Sequence, residues 1–256
     1  MNVGLLPGFI RLANAADDSV VRSIPGLRQW YAADKLPVMA DGTGVALWQD
    51  SSGNGFDVSQ AASAYQPLYK LNVFKGKPAV QFDGSDDRLE NTAVNAFASG
   101  AARTVFYVGR QATTTSGYYI AFKRSVPLWS FFNYDSSGPL LFTDGVNAAG
   151  NARSNALYLM SSTSGPTIVT IRLQGVGYQP SLRINGAACP VTGGSTPAAD
   201  TGATGGQGFS IGYRGDTNAS HNGPICEIIT ASGVMSDTDC LPIERYLAAK
   251  YQDIAA

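Results

Sequence analysis

The sequence predicts an all-β sandwich closed by one short C-terminal helix. Three observations carry this. Short apolar runs rich in β-branched and aromatic residues recur along the chain, separated by clusters of Gly, Asn, Asp and Ser. Glycine is abundant, at 29 residues, with no collagen-like period, as a fold with many tight turns requires. A helical apolar period is confined to the last segment, where Ile243, Leu247, Tyr251 and Ile254 recur at spacings of four, four and three. The 256 residues fit one all-β domain, a size such domains reach as single units.

Residues 1–23 show neither strand alternation nor an amphipathic helix, and read as an N-terminal arm before a single domain over residues 24–256. Residues 1–16 have an apolar centre and an Ala-x-Ala-like end. They lack a basic start, and Pro7, Gly8 and Arg11 interrupt the run, so the expectation is a retained segment and not a cleaved signal. Val3, Leu5, Leu6, Phe9, Ile10 and Leu12 make the arm too apolar for a solvated tail. It is expected to dock on a partner subunit or a neighbouring copy, the alternative being that it folds back on its own domain.

The domain opens at Ile24, and residues 29–32 read as its first strand. Asp50, Ser51, Ser52, Gly53, Asn54 and Gly55 then turn the chain between Trp48 and Phe56. Residues 78–82 form an apolar run that ends in the turn pair Asp83-Gly84. Residues 104–110, with β-branched and aromatic side chains, read as a strand. Further strands are expected at 118–122, 128–134, 139–143, 155–161 and 167–173. Residues 181–184 lead into Asn185-Gly186, the strongest short hairpin signal. Residues 192–208 read as a loop, and 209–214 and 223–230 as the closing strands. The final helix is expected to start near Cys240 with Asp239 as N-cap, because Pro242 lacks an N–H and clashes one turn back.

Several of these stretches together resemble a known family. They are W-x-D-x-S-G-N-G (Trp48, Asp50, Ser52, Gly53, Asn54, Gly55), Gln66-Pro67, and the K-P-A-V-x-F-D-G-x-D-D-x-L of residues 77–89. Later come the hairpin S-L-R-I-N-G, the strand ending E-I-I, and the closing I-E-x-Y-L-A-x-K-Y. The set is similar to laminin-G-like, concanavalin A-like lectin and glucanase domains. The likeness spans about residues 24–252 and is concentrated at the two ends. It implies a jelly-roll β-sandwich of two antiparallel sheets. It also implies a home among bacterial surface proteins or bacteriophage virions, the latter as a decoration, tail or baseplate component. The function expected is a non-catalytic structural or adhesion module with glycan or host-surface binding, located in the virion or else extracellularly on a cell surface. The alternative is a glycan-active enzyme, glycosidase or lyase, on the same fold.

Glycosidases on such sandwiches use paired carboxylates. This chain has three glutamates, Glu90, Glu227 and Glu244, and no E-x-D-x-x-E. Glu227 is expected to be a paired carboxylate at a sheet edge. His221, the one histidine, lies in Ser-His-Asn-Gly and reads as a loop residue, with no Gly-x-Ser-x-Gly elbow to complete a triad. No catalytic residue is therefore assigned. Asp83, Asp86 and Asp87 offer oxygens for calcium, which related sandwiches often carry, or simply form a turn; Asp50 and Asn54 could add donors if the two turns meet. Tyr118, Tyr119, Trp129 and Tyr134 could stack on sugar rings, although strand alternation sends about half of such aromatics into the core. Cys189, Cys226 and Cys240 have no zinc-like spacing and read as buried or loop thiols, or as one disulfide with a free thiol. A charged fraction of 14% and a net charge of −1, with no basic cluster, argue against a nucleic-acid partner. No apolar run is long enough to insert in a membrane as a helix.

Overall fold

A computed structural model describes residues 17–94, 96–97, 101–110, 117–121, 130–134, 139–143, 155–159, 165–174, 180–189, 208–213 and 220–252, the strands between 117 and 159 by their backbone. Helix α1 is Ser19–Arg22. Strands β1 (Leu27–Ala32), β2 (Leu47–Trp48), β3 (Val58–Ser59), β4 (Leu68–Phe74), β5 (Lys77–Asp83) and β6 (Leu89–Asn91) follow. Then come β7 (Arg103–Gly109), β8 (Gly117–Ala121), β9 (Ser130–Tyr134), β10 (Pro139–Thr143) and β11 (Asn155–Leu159). The chain closes with β12 (Thr167–Leu173), β13 (Ser181–Ile184), β14 (Ala187–Cys189), β15 (Phe209–Ile211), β16 (Asn222–Ser232) and helix α2 (Asp237–Tyr251).

The strands form two antiparallel sheets, as the sequence predicts. The first runs β14-β13-β12-β7-β16-β5-β4, with β1 also paired to β16; the second runs β11-β10-β9-β8-β15-β6-β3-β2. Strand β16 is the spine of the first sheet. Along one side it pairs with β7, and along the other with β5 at its start and β1 at its end. Trp48, Tyr31, Phe82, Leu89 and Phe209 fill the space between the sheets. The opposite face of the first sheet is also buried. Trp30, Phe106, Val108 and Ile229 pack there with Ile243, Leu247 and Tyr251 of α2. This two-sided burial explains why every residue of β7 is buried.

Local chemistry sets the turns. Asn185 and Gly186 both take positive φ, at 48° and 81°, which a two-residue hairpin between β13 and β14 demands. Asp50 organises the turn after Trp48. One carboxylate oxygen accepts from the N–H groups of Trp30 (2.9 Å) and Ser52 (2.9 Å), the other from the N–H of Phe56 (3.1 Å) and the Ser52 hydroxyl. The turn thereby satisfies part of the free edge of β1.

A single β-bulge decides what the spine presents. Ile225 pairs with Gly109 and Glu227 with Val108, so Cys226 is the extra residue. Ile225 and Ile228 face the inter-sheet core, whereas Cys226 and Ile229 face α2. The bulge breaks alternation and turns Glu227 to the α2 side. There its carboxylate, fully buried, accepts from Trp30 Nε1 (2.7 Å), Tyr246 Oη (3.2 Å), Lys250 Nζ (2.8 Å) and Tyr251 Oη (2.8 Å). Glu227 is paired as expected, but on the central strand and not at an edge.

Two boundaries differ from the sequence reading. Helix α2 starts at Asp237, with Ser236 as N-cap accepting from the N–H of Asp239, so Pro242 lies inside the helix. The cap, and the ion pair of Asp237 with Arg172 at 2.5 Å, secure the first turn ahead of the proline. Residues 17–23, the last part of the expected arm, pack on the domain itself. Val21 is fully buried in the α2-side core, and Asp18 pairs with Lys35 and accepts from Tyr246 Oη. Residues 1–16, with the docking expected of them, lie outside the described residues, as do residue 254 and the loop at 192–207.

Removing one partner from a buried charge network costs roughly 3–5 kcal/mol. Glu227→Ala should therefore lower the urea midpoint by that equivalent with little change in slope. A wild-type midpoint would mean that apolar contacts alone hold α2.

Candidate functional site

Both sheets end together around the turn that links β5 to β6. Asp83, at the end of β5, pairs with Asn222 at the start of β16. Leu89, at the start of β6, pairs with Ile211 at the end of β15. Residues 84–88 therefore bridge the sheets at one rim. Ser220 Oγ donates to the Ser85 carbonyl at 2.8 Å, tying the rim's two chain segments together. Gly212 is required here: its φ is +85°, and a Cβ would lie 2.2 Å from the Phe82 ring.

The acidic turn occupies this rim. One oxygen each from Asp83, Asp86 and Asp87 lie within 4.8 Å of one another. Oxygens bound about 2.4 Å from one ion can be no farther apart than that, so the spacing fits calcium, with these three as the residues that would hold it. Asp83 is exposed and Asp87 buried. Burial, then the neighbouring Asp83 and Asp86 carboxylates, push Asp87 up to about 6. Asp83 also caps its own turn, accepting from the N–H of Ser85 at 2.8 Å. Asp50 and Asn54 do not join this group; Asp50 serves its own turn, and Asn54 donates to the carbonyls of Leu27 and Arg28.

Next to the acidic turn, Arg88 lies over the ring of Tyr65 with Cζ 4.0 Å from the centroid, and 5.4 Å from that of Tyr213. One terminal nitrogen donates to the Asp86 carbonyl at 3.0 Å, and Nε lies 3.8 Å from Glu90. Tyr65 comes from a 3-10 turn, Ser63–Tyr65, and Tyr213 follows β15. The sequence reading passed over this stack. Its one local sign was an arginine directly after the acidic pair, and the two tyrosines are too distant in sequence to suggest a group.

The expected sugar-stacking aromatics divide. In register, Ala121 pairs with Ser210 and Ile120 with the core residue Ile211. Tyr119 shares the parity of Ala121, as does Gly117, which pairs with Tyr134; Tyr118 shares the parity of Ile120. Tyr119 and Tyr134 therefore occupy one set of register positions and Tyr118 the other, while Trp129 lies outside the described residues.

The remaining reactive groups are consumed by the fold. Glu244 is buried and accepts from Arg183 at 2.8 and 3.0 Å and from Thr170 at 2.7 Å. His221 is not a surface loop residue. It is fully buried at the threshold of β16, its ring centroid 5.8 Å from that of Phe82, and burial lowers its pKa to about 3. Cys226 and Cys240 are free thiols; burial raises Cys226 strongly and Cys240 to about 11, which keeps both protonated and unreactive. No described helix is long and apolar enough to cross a membrane.

No family model matches the sequence, and no curated protein matches it. Solved structures do share the fold. The binding domain of botulinum neurotoxin DC in complex with rat synaptotagmin II superposes with a TM-score of 0.61 at 14% identity, over 89% of this chain and 52% of that one. The same toxin domain in complex with SialylT gives 0.59 at 13%, over 89% and 52%. Trypanosoma rangeli sialidase in complex with sialic acid gives 0.54 at 12%, over 90% and 36%. The chain thus spans about half of the toxin domains and about a third of the sialidase, and at these identities the likeness is one of fold.

Because the folded His221 pKa lies below its unfolded value, its contribution to stability is full above pH 6.5 and is lost as pH falls through about 3. Thermal melts should show one proton taken up on unfolding across that window, a loss of roughly 5 kcal/mol by its end. His221→Gln should flatten this limb; a variant with the wild-type acid profile would show that the histidine titrates freely in the fold.

Proposed function

We propose that the chain is a non-catalytic binding and structural module, a jelly-roll component of a bacteriophage virion that recognises glycan or another host-surface molecule. The observation that carries this reading is the state of its acid–base groups. Glycoside hydrolysis needs two carboxyls flanking an open site. Here Glu227 and Glu244 are buried and held by donors, His221 is buried and neutral, and the carboxylates at the rim, Asp83, Asp86 and Asp87, gather on one turn, where Asp83 and Asp87 accept its backbone N–H groups. That solved domains of this fold include one bound to SialylT and one bound to synaptotagmin II supports a binding role. The virion assignment rests on the sequence resemblance, with the apolar arm as the contact to other subunits. A cell-surface location is the alternative.

Purified protein is expected to bind on a glycan array, to release no reducing ends from the polysaccharides it binds, and to be found by mass spectrometry in purified particles. Turnover that disappears when one acidic residue is changed would establish the enzyme reading instead. The proposal includes a calcium ion on Asp83, Asp86 and Asp87 as a brace for the rim, supported by their spacing. Calcium added to chelator-treated protein should then raise the melting temperature by mass action, and Asp87→Asn should abolish the rise. No shift with calcium, and none found by elemental analysis, removes the ion.

A further inference from the structure

We infer that the stack of Tyr65, Arg88 and Tyr213 is the subsite that holds the glycan, and that it takes an uncharged pyranose ring in preference to a sialylated one. The inference rests on the binding-module reading. An arginine is normally mobile at a surface, and ordering its side chain costs entropy. Arg88 is held over the Tyr65 ring, near that of Tyr213, and tied to the Asp86 carbonyl, so much of that cost is met before a ligand arrives.

The guanidinium has five N–H donors. One goes to Asp86 and one points toward Glu90; the others have no partner among the described residues, and the side chain is 22% exposed. They present a fixed fork to paired oxygens, as adjacent ring hydroxyls would offer. Tyr65 and Tyr213 are half-buried beside it, each with an apolar ring that a pyranose C–H face can cover and a polar tip. Charge selects among sugars. Among the described residues the rim sets four carboxylates, Asp83, Asp86, Asp87 and Glu90, against one cation, Arg88, a balance that stays negative even with a divalent ion on the three aspartates, so a carboxylate-bearing sugar meets net repulsion that a neutral one does not. Three chain segments converge on the rim, which the ends of both sheets fix in place.

The test uses the full chain on an array carrying lactose-terminated and sialyllactose-terminated forms of the same oligosaccharides, among other neutral chains. The wild type should prefer the neutral forms. Tyr65→Ala and Arg88→Lys should weaken that binding roughly tenfold or more, while Tyr65→Phe keeps it. The lysine variant retains charge and stem, and unchanged melting temperatures confirm that each variant is folded. Tyr119→Ala and Tyr134→Ala should leave binding unchanged. If the wild type binds glycan but the losses follow Tyr119 or Tyr134, or the sialylated forms win, this subsite is wrong and the binding-module reading stands. If the wild type binds no glycan at all, the glycan reading falls together with the subsite.

Discussion

The carboxylate of Glu227 is the constraint on which the architecture depends. A charge this deep is tolerated only when it is paired and hydrogen-bonded. Its donors come from both sides of one interface: Trp30 from β1, and Tyr246, Lys250 and Tyr251 from α2. The helix therefore cannot rotate or slide without stranding the charge, which apolar packing alone would permit more easily. Lys250 also reaches Asp34 at 2.9 Å. Burial works against the lysine charge, but Glu227 and Asp34 outweigh it and hold the pKa above the ordinary value. The same burial, with Glu227 nearby, raises both tyrosines and keeps them protonated as donors.

A second network repeats the logic at the other end of the helix. Glu244 receives two bonds from Arg183 and one from Thr170, while Asp237 pairs with Arg172. Helix α2 is thus registered on the sheet at two points along its length, over β16 and over β12 and β13. The residues on the buried side of α2 are then a mixture of Ile243 and Leu247 with Glu244 and Lys250. Specific docking replaces a simple apolar stripe, and the ionisable groups so used are withdrawn from chemistry.

Much of the fold was legible because strand and turn signals are local. The Asn185-Gly186 hairpin, the Asp83-Gly84 turn and the strand Thr167–Leu173 each follow from a few adjacent residues. What escaped depends on pairing across the chain. The bulge at Cys226 exists only relative to β7, and without it the parity of Glu227 cannot be assigned. His221 stands in a polar stretch of sequence, Ser-His-Asn-Gly, yet is buried because the chain enters β16 one residue later against Phe82. The helix start was misplaced because a rule about Pro242 was weighed without the cap from Ser236 and the anchoring of Asp237 by Arg172. Of the candidate site, the acidic turn was legible as three nearby carboxylates; the tyrosine–arginine stack was not, since residues 65, 88 and 213 meet only in three dimensions.

Covering one sheet with a helix also limits where a ligand can be met. The outer face of the first sheet is occupied by Ile243, Leu247 and Tyr251, and the space between the sheets is filled by Trp48, Phe82 and Phe209. That leaves the outer face of the second sheet and the rims. At the β5–β6 rim the sheets hold a short turn by strand pairs on both sides, so its side chains sit on rigid supports although they belong to loops. The opposing demands on this turn are visible in its chemistry. Three carboxylates are brought together, and burial, with Asp83 and Asp86 adding to it, raises Asp87, while Arg88 is kept beside them by two aromatic rings. Part of the cost of gathering them is offset locally, since Asp87 accepts from the N–H of Asp83 at 2.9 Å and Asp83 from the N–H of Ser85 at 2.8 Å. The carboxylates that crowd the turn are thus also the groups that close it, and the rim keeps its shape because the repulsion among them is smaller than the backbone bonds and strand pairs that hold them there.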